Sequence, residues 1–320
     1  MARLTDPTVL IPLARKGDRR SLARLITMVE NGDNAANAIL EEVFPQGGQA
    51  WTTGITGAPG AGKSTLTDRL ITQMRQDETA VAVVAVDPSS PFSGGAVLGD
   101  RVRMQDHIDD DGVYIRSMAS RGHLGGIAAT TPRVVALLDG IGFPEVAIET
   151  VGVGQAEVEI AGNTDTTLVV VNPGWGDSVQ AAKAGLLEIG DIFVVNKADR
   201  PGVNETVRDL AHMLELGGKK DWEPPILPTV ALTGEGIDVV WQAIADHRRH
   251  LAASGKLEAS RQARLVKELE SALLAALQMQ VRTAVPEPEW EDLTAQVRER
   301  DVDPWTAATR VLRLLGVASG

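Results

Sequence analysis

Nine residues constrain this chain more than any others: Gly57-Ala58-Pro59-Gly60-Ala61-Gly62-Lys63-Ser64-Thr65. They fit the phosphate-loop pattern without mismatch, follow a β-branched run at 52–56 and open a helical pattern at 64–75. That context is what the pattern requires, and a glycine-rich turn that merely precedes Lys-Ser would not have it. Glycines let successive backbone N–H groups close around phosphate oxygens, and the helix start adds its positive end. Lys63 would reach the β- and γ-phosphates, and the Ser64 hydroxyl would hold Mg2+.

The rest of the middle of the chain agrees with such a strand–loop–helix unit. Short apolar, β-branched runs recur at 81–86, 113–115, 146–148, 167–171 and 192–195, with a weaker one at 229–232. Helical patterns at 127–141 and 204–216 lie between them. Near-continuous apolar strands alternating with helices predict an α/β fold, a parallel sheet flanked by helices. Residues 1–48 read as an N-terminal helical extension, with Leu13, Leu22, Leu25, Ile26 and Val29 at helical spacing. Residues 49–254 form the expected P-loop domain, closed by a helix at 236–251. In 255–320 the strands stop, and Leu265, Leu269, Leu273 and Leu277 recur at steps of four on one helix face. Such a stripe packs against its own domain or serves a helical dimerisation arm.

A second motif selects the base. Asn196-Lys197-Ala198-Asp199 follows the apolar run at 192–195. Alone it is a common turn; downstream of a phosphate loop, at a strand end, it is a base-reading element. A carboxylate at Asp199 accepts two hydrogen bonds from guanine N1–H and the 2-amino group. Adenine lacks both donors and would leave the acid unpaired, a penalty of about 1–3 kcal/mol. Asn196 and Lys197 would brace the loop and cover the base. In the segment 229–236, Ala231 and Leu232 occupy the place where guanine O6 meets a backbone N–H, although Val230 replaces the usual small polar residue. These features together predict a GTPase binding GTP/GDP.

Three carboxylates could serve a Mg2+ site or orient the attacking water: Asp87 and Glu149 at strand ends, and Asp100 in a glycine-containing loop. Octahedral magnesium takes only one or two carboxylates besides phosphates and Ser64, so not all three are direct ligands at once.

Composition removes other classes. The net charge of −12 disfavours nucleic acid and anionic membranes as partners. The basic clusters at 15–20 and 247–250 are expected to be solvated helix faces. His247 and His250, one helical turn apart, could bind a metal, but a surface helix is the simpler expectation. With no cysteine, the chain has no disulfide framework and no thiolate metal site. No apolar run reaches the roughly 20 residues that cross a bilayer, so a cytoplasmic location is expected.

Longer motifs carry a family resemblance. They are Val86-Asp87-Pro88-Ser89-Ser90-Pro91-Phe92-Ser93-Gly94-Gly95, Leu98-Gly99-Asp100-Arg101, Ile115-Arg116-Ser117-Met118-Ala119-Ser120-Arg121-Gly122-His123, and Glu149-Thr150-Val151-Gly152-Val153-Gly154-Gln155. The chain resembles, over nearly its whole length, the methylmalonyl-CoA mutase-associated GTPase chaperones, called MeaB or ArgK in bacteria. The resemblance implies a SIMIBI-class P-loop NTPase fold and a homodimer. It also implies a coenzyme-B12-dependent acyl-CoA mutase as partner, whose cofactor loading the GTPase would gate. Switch I would span about 87–104, switch II would begin at Glu149, and a third switch would cover 174–183. In the third switch, Lys183 could swing toward the phosphates. Val153 follows Gly152 where Ras-like GTPases place a glutamine, so hydrolysis would be slow alone and stimulated by the partner. Two rivals share the loop. A kinase tied to amino-acid transport needs an acceptor site for which no residues stand out, and a nickel- or zinc-inserting GTPase would carry the cysteines this chain lacks.

Overall fold

The computed structural model describes residues 6–87, 107, 109–119, 130–150, 159–174, 180–218 and 221–314. Expectations that fall on Asp100, on most of switch I, on the start of switch II beyond Thr150, and on 175–179 lie outside the described residues. The chain divides into two compact units, Met1–Ser260 and Arg261–Gly320.

In the first unit, seven strands form one parallel sheet: β1 Trp51–Gly57, β2 Val81–Asp87, β3 Val113–Ala119, β4 Glu145–Thr150, β5 Thr166–Val171, β6 Ile192–Asn196 and β7 Ile226–Thr229. Their order is β3-β2-β4-β1-β5-β6-β7. β1 is central, paired with β4 on one side and β5 on the other. The connection from β1 runs to β2 on one side, while that from its neighbour β5 runs to β6 on the other, and such a reversal opens a crevice at the carboxyl ends of the strands.

The strands are apolar on both faces because both are covered. Along β2, Val81 and Val83 join one core cluster while Ala82, Val84 and Val86 join another. This is the period of two expected when side chains alternate across a sheet. One face is covered by α4 (Lys63–Arg75) and, late in the chain, by α8 (Ile237–Ala253). The other face carries α1 (Pro7–Arg15), α2 (Arg19–Asn31), α3 (Ala36–Val43) and α5 (Thr131–Ile141) over β2–β4. Leu186 of α6 (Gln180–Ile189) and Leu210 of α7 (Val203–Leu216) continue that layer over β5 and β6.

The N-terminal helices therefore share the core of the sheet. Asp6 and Asp18 cap α1 and α2 through their carboxylates, and Gly32 closes α2 in the left-handed conformation. Leu22, Leu25, Ile26 and Val29 are buried as the periodicity predicts, but Leu13 is exposed. Leu10 and Ile11 take its place, because the break at Gly17 gives α1 its own helical phase.

The last strand also shifts. The weak run at 229–232 is expected to pair, but β7 is Ile226–Thr229, in register with Phe193–Asn196. Residues beyond it turn tightly, with Val230 bridged to Glu235.

α9 (Lys256–Ala284) begins in the first unit and runs into the second, which adds α10 (Glu287–Arg298) and α11 (Pro304–Leu314). Within that second unit Ala307 and Val311 are buried, and Arg282 lies over the Trp290 ring at 4.5 Å. Leu265, Leu269, Leu273 and Leu277 are all exposed, as are Val266 and Leu274 beside them. Among the described residues, no helix is long and apolar enough to cross a membrane.

Candidate nucleotide site

The site is assembled at the carboxyl edge of the sheet. β1 runs through Gly57 into the loop 58–62, and α4 starts at Lys63. Gly57 has φ +131°, and a Cβ there would stand 2.0 Å from the Val170 carbonyl oxygen on β5. Gly62 has φ +93°, and its Cβ would meet the Asn196 amide nitrogen at 2.3 Å. Both positions therefore exclude a side chain sterically as well as conformationally. The loop is pressed against β5 and β6 on the side away from its mouth.

Lys63 is buried, with Nζ donating to the carbonyls of Gly57 at 2.7 Å and Ala58 at 3.1 Å. Its charge is thus held by the loop itself, within the arc where phosphate oxygens would lie. The Ser64 hydroxyl donates to Glu149 Oε1 at 2.6 Å, and the Glu149 side chain is only 1% exposed. Glu149 reaches Ser64 because β4 pairs directly with β1, with Glu149 opposite Ile55. Asp87 ends β2 one strand further out, opposite Ala119 of β3. The predicted carboxylates Asp87 and Glu149 thus sit on adjacent strand ends. Lys183 falls on α6. Among the described residues no group of three or more His, Asp or Glu side chains gathers as a metal site.

Asn196 joins the phosphate side to the base side. Its Nδ2 donates to the Ala61 carbonyl at 2.8 Å, while Oδ1 accepts from Thr229 Oγ1 at 3.2 Å and from the Ala231 N–H at 3.0 Å. Lys197, at φ +60°, lays its ammonium on the Gly60 carbonyl at 2.6 Å. Both residues are thereby tied to the phosphate loop. The turn they open is closed by Ala198 N–H to Thr229 O at 2.9 Å and Arg200 N–H to Lys197 O at 3.0 Å, and it leaves Asp199 exposed to solvent. An exposed carboxylate on a fixed turn is accessible to a base edge.

The Ala231 N–H, expected to face guanine O6, donates to Asn196 in this structure. Leu232, the other residue expected there, is 78% exposed and next along the same turn. Sequence reasoning missed Arg69. From α4, its Nε donates to the Ala231 carbonyl and its outer nitrogen to the Leu232 carbonyl, both at 3.3 Å. The only sequence signal was a basic residue two helical turns into a helix whose first turn carries Lys63 and Ser64.

Comparison with known proteins agrees with this geometry. The family model described as methylmalonyl Co-A mutase-associated GTPase MeaB matches residues 22–285. The chain is 47% identical over 307 residues to a Pyrococcus horikoshii protein bearing a GTPase name, covering 95% of this chain and 96% of that one. It is 40% identical to the GTPase ArgK of Escherichia coli, with 80% of each chain covered. A crystal structure titled LAO/AO transport system kinase superposes with a TM-score of 0.71 over 99% of both chains, at 26% identity. A glycine loop of the phosphate-binding pattern, an Asn-Lys-x-Asp turn tied to it by Asn196, and a family match spanning both make this chain a P-loop GTPase of the methylmalonyl-CoA mutase-associated MeaB family, binding guanine nucleotide and hydrolysing GTP.

Proposed function

We propose that this GTPase serves as chaperone of a coenzyme-B12-dependent methylmalonyl-CoA mutase, gating cofactor loading and protecting the mutase, with Mg2+ at its phosphate site. The observation that carries the site reading is the Ser64–Glu149 contact at the start of α4, one residue after Lys63. A hydroxyl and a carboxylate are the hard oxygen donors that suit Mg2+, so Ser64 and Glu149 fit that ion, with Asp87 and Asp100 as further candidates. Bound there, the ion would neutralise charge developing on the phosphate oxygens. The chain's own contribution is positional. Lys63 holds the β- and γ-phosphates, backbone N–H groups of 58–62 surround them, and Asp199 reads the guanine edge. A carboxylate of the Asp87, Asp100 and Glu149 set orients the attacking water.

The mutase as partner is supported by the family description and by a relative, 34% identical over 77% of this chain, named methylmalonic aciduria type A homolog, mitochondrial, from Mus musculus. With no Ras-type glutamine after Gly152, the site is short of one group that stabilises the transition state. A partner that orders a switch could supply it, as arginine fingers do with effects of about 10³–10⁵ in rate. Lys183 is the residue assigned to that step. Steady-state phosphate release should rise when the host's own mutase is added, and Lys183→Ala should lose most of the rise while keeping the intrinsic rate. No stimulation of the wild type would refute the chaperone role.

The exposed leucine stripe of α9 supports a homodimer formed by a helical arm at 255–320. Light scattering that finds a monomer at high protein concentration would rule this out.

A further inference from the structure

We infer that Arg69 is a positioning residue for guanine recognition: it orients the peptide group whose N–H, that of Leu232, reads guanine O6. The inference rests on the proposed base site and names the group within it that sets selectivity at O6.

The turn after β7 offers few donors. The Ala231 N–H is spent on Asn196 Oδ1, and Thr233 and Gly234 both donate to the Val230 carbonyl at 3.0 Å. Among the described residues, the Leu232 N–H makes no hydrogen bond, and it lies in sequence between those committed donors, in an exposed residue. The Ala231 carbonyl and the Leu232 N–H belong to one planar trans peptide group, so they point in opposite directions. Arg69 grips that carbonyl from α4 and takes the Leu232 carbonyl with a second guanidinium nitrogen. Two donors in a rigid fork fix a plane, which one flexible ammonium does not. With the carbonyl turned toward α4, the N–H of the same peptide is turned away from it. A charged donor on the carbonyl also polarises the peptide and strengthens its N–H as a donor. Arg69 lies on the helix that starts at Lys63, so the orientation of the base-reading peptide is referred to the phosphate loop itself.

The probes are GTP, 6-thio-GTP, which changes only the O6 acceptor, and inosine triphosphate, which lacks only the 2-amino group read by Asp199. Affinities are measured by displacement of a fluorescent GDP, whose own affinity is determined for each protein. In the wild type, GTP should bind roughly tenfold tighter than 6-thio-GTP, as expected for loss of a good hydrogen bond. In Arg69→Met, that preference should fall to about twofold, while the preference for GTP over inosine triphosphate stays as in the wild type. Arg69→Lys, which restores one donor and the charge, should lie between, and it also serves if the methionine variant fails to fold. Equal weakening of all three nucleotides would overturn the role of Arg69 and leave the base site standing. A wild type that treats GTP and inosine triphosphate alike would instead break the assignment of Asp199, on which the inference depends.

Discussion

The two edges of the same sheet bury polar groups to opposite effect. At the carboxyl edge, Lys63, Ser64, Glu149 and Asn196 are buried, yet they surround a loop that is exposed at Pro59 and Gly60. At the amino edge, buried polar groups answer one another. Glu145, at the start of β4, takes a 2.8 Å hydrogen bond from Arg248, whose guanidinium also lies 4.8 Å from the centre of the Trp51 ring. Burial pushes the Glu145 carboxyl up, and Arg248 offsets this in part. Thr52 and Asp165 exchange hydrogen bonds between β1 and β5, the Thr52 N–H donating to the carboxylate and the Asp165 N–H to the hydroxyl. His247 is bonded to Thr166 at 2.9 Å, and its ring lies tilted against that of Trp222 with centroids 4.9 Å apart. Burial of polar groups is therefore no sign of a site by itself. What separates the edges is what the buried groups line: at the carboxyl edge a loop exposed at Pro59 and Gly60, at the amino edge one another.

Substitutions at the two edges should separate activity from stability. The largest effect expected is that of Lys63→Ala, which removes the cation from the phosphate arc. Phosphate release should fall by roughly 10²–10³-fold or more, the scale of losing one preorganised charge-stabilising donor. The thermal midpoint should move by no more than about 5 °C, because no core contact is lost. Near-normal turnover would place the chemistry elsewhere. Next in size is Asp199→Asn, which exchanges an acceptor for a donor at the base edge. GTP should weaken by about 10–100-fold. Xanthosine triphosphate, whose 2-oxo group can accept from the amide, should gain. Equal affinity of the wild type for ATP and GTP would refute this assignment.

The carboxyl edge was the legible one. Its glycine pattern, Lys63, Ser64 and the Asn196–Asp199 turn could be read because phosphate and guanine binding demand fixed residue types at fixed local spacing. Six of the strands also fell where apolar β-branched runs predicted them, since strands buried on both faces leave a continuous signal. β7 did not: Pro228 in its middle speaks against a strand in the local pattern, and the pairing with β6 that decides it is not visible there. The amino edge was legible only in part: Arg249 is exposed as expected. The cluster 247–250 was expected to be a solvated helix face, yet His247 is 3% exposed and Arg248 reaches Glu145. Its partners Thr166, Asp191 and Glu145 are 56 to 103 residues away in sequence, so helical spacing could not announce them. Arg69 was missed for the same reason: its partners are turn carbonyls, which carry no side-chain signature.

The smallest expected effect tests the amino edge, and it is one of stability alone. Burial, and next the neighbouring charge of His250, lower the His247 pKa to about 4, although Asp165 pulls the other way. The Asp191 carboxylate, 3.5 Å from its Nε2, is the other acid facing the ring. A histidine whose folded pKa lies below its unfolded value of 6.5 takes up a proton on unfolding, so acid favours the unfolded chain. Its contribution is full above about pH 6.5, is lost as the pH falls toward 4, and changes no further below that. A shift of this size corresponds to about 2–3 kcal/mol between those limits. Carboxylates elsewhere add their own acid sensitivity, but equally to any variant at this position. The diagnostic quantity is therefore a difference between two curves. Between pH 7 and 4.5, the wild type should lose about 5–10 °C more in thermal midpoint than His247→Asn, which retains a polar partner for Thr166 but cannot titrate. At pH 7.5 both should release phosphate at the same rate, because His247 touches only the amino edge. Parallel stability curves would mean that the ring is not held neutral, and a lost hydrolysis rate would mean that the two edges are coupled.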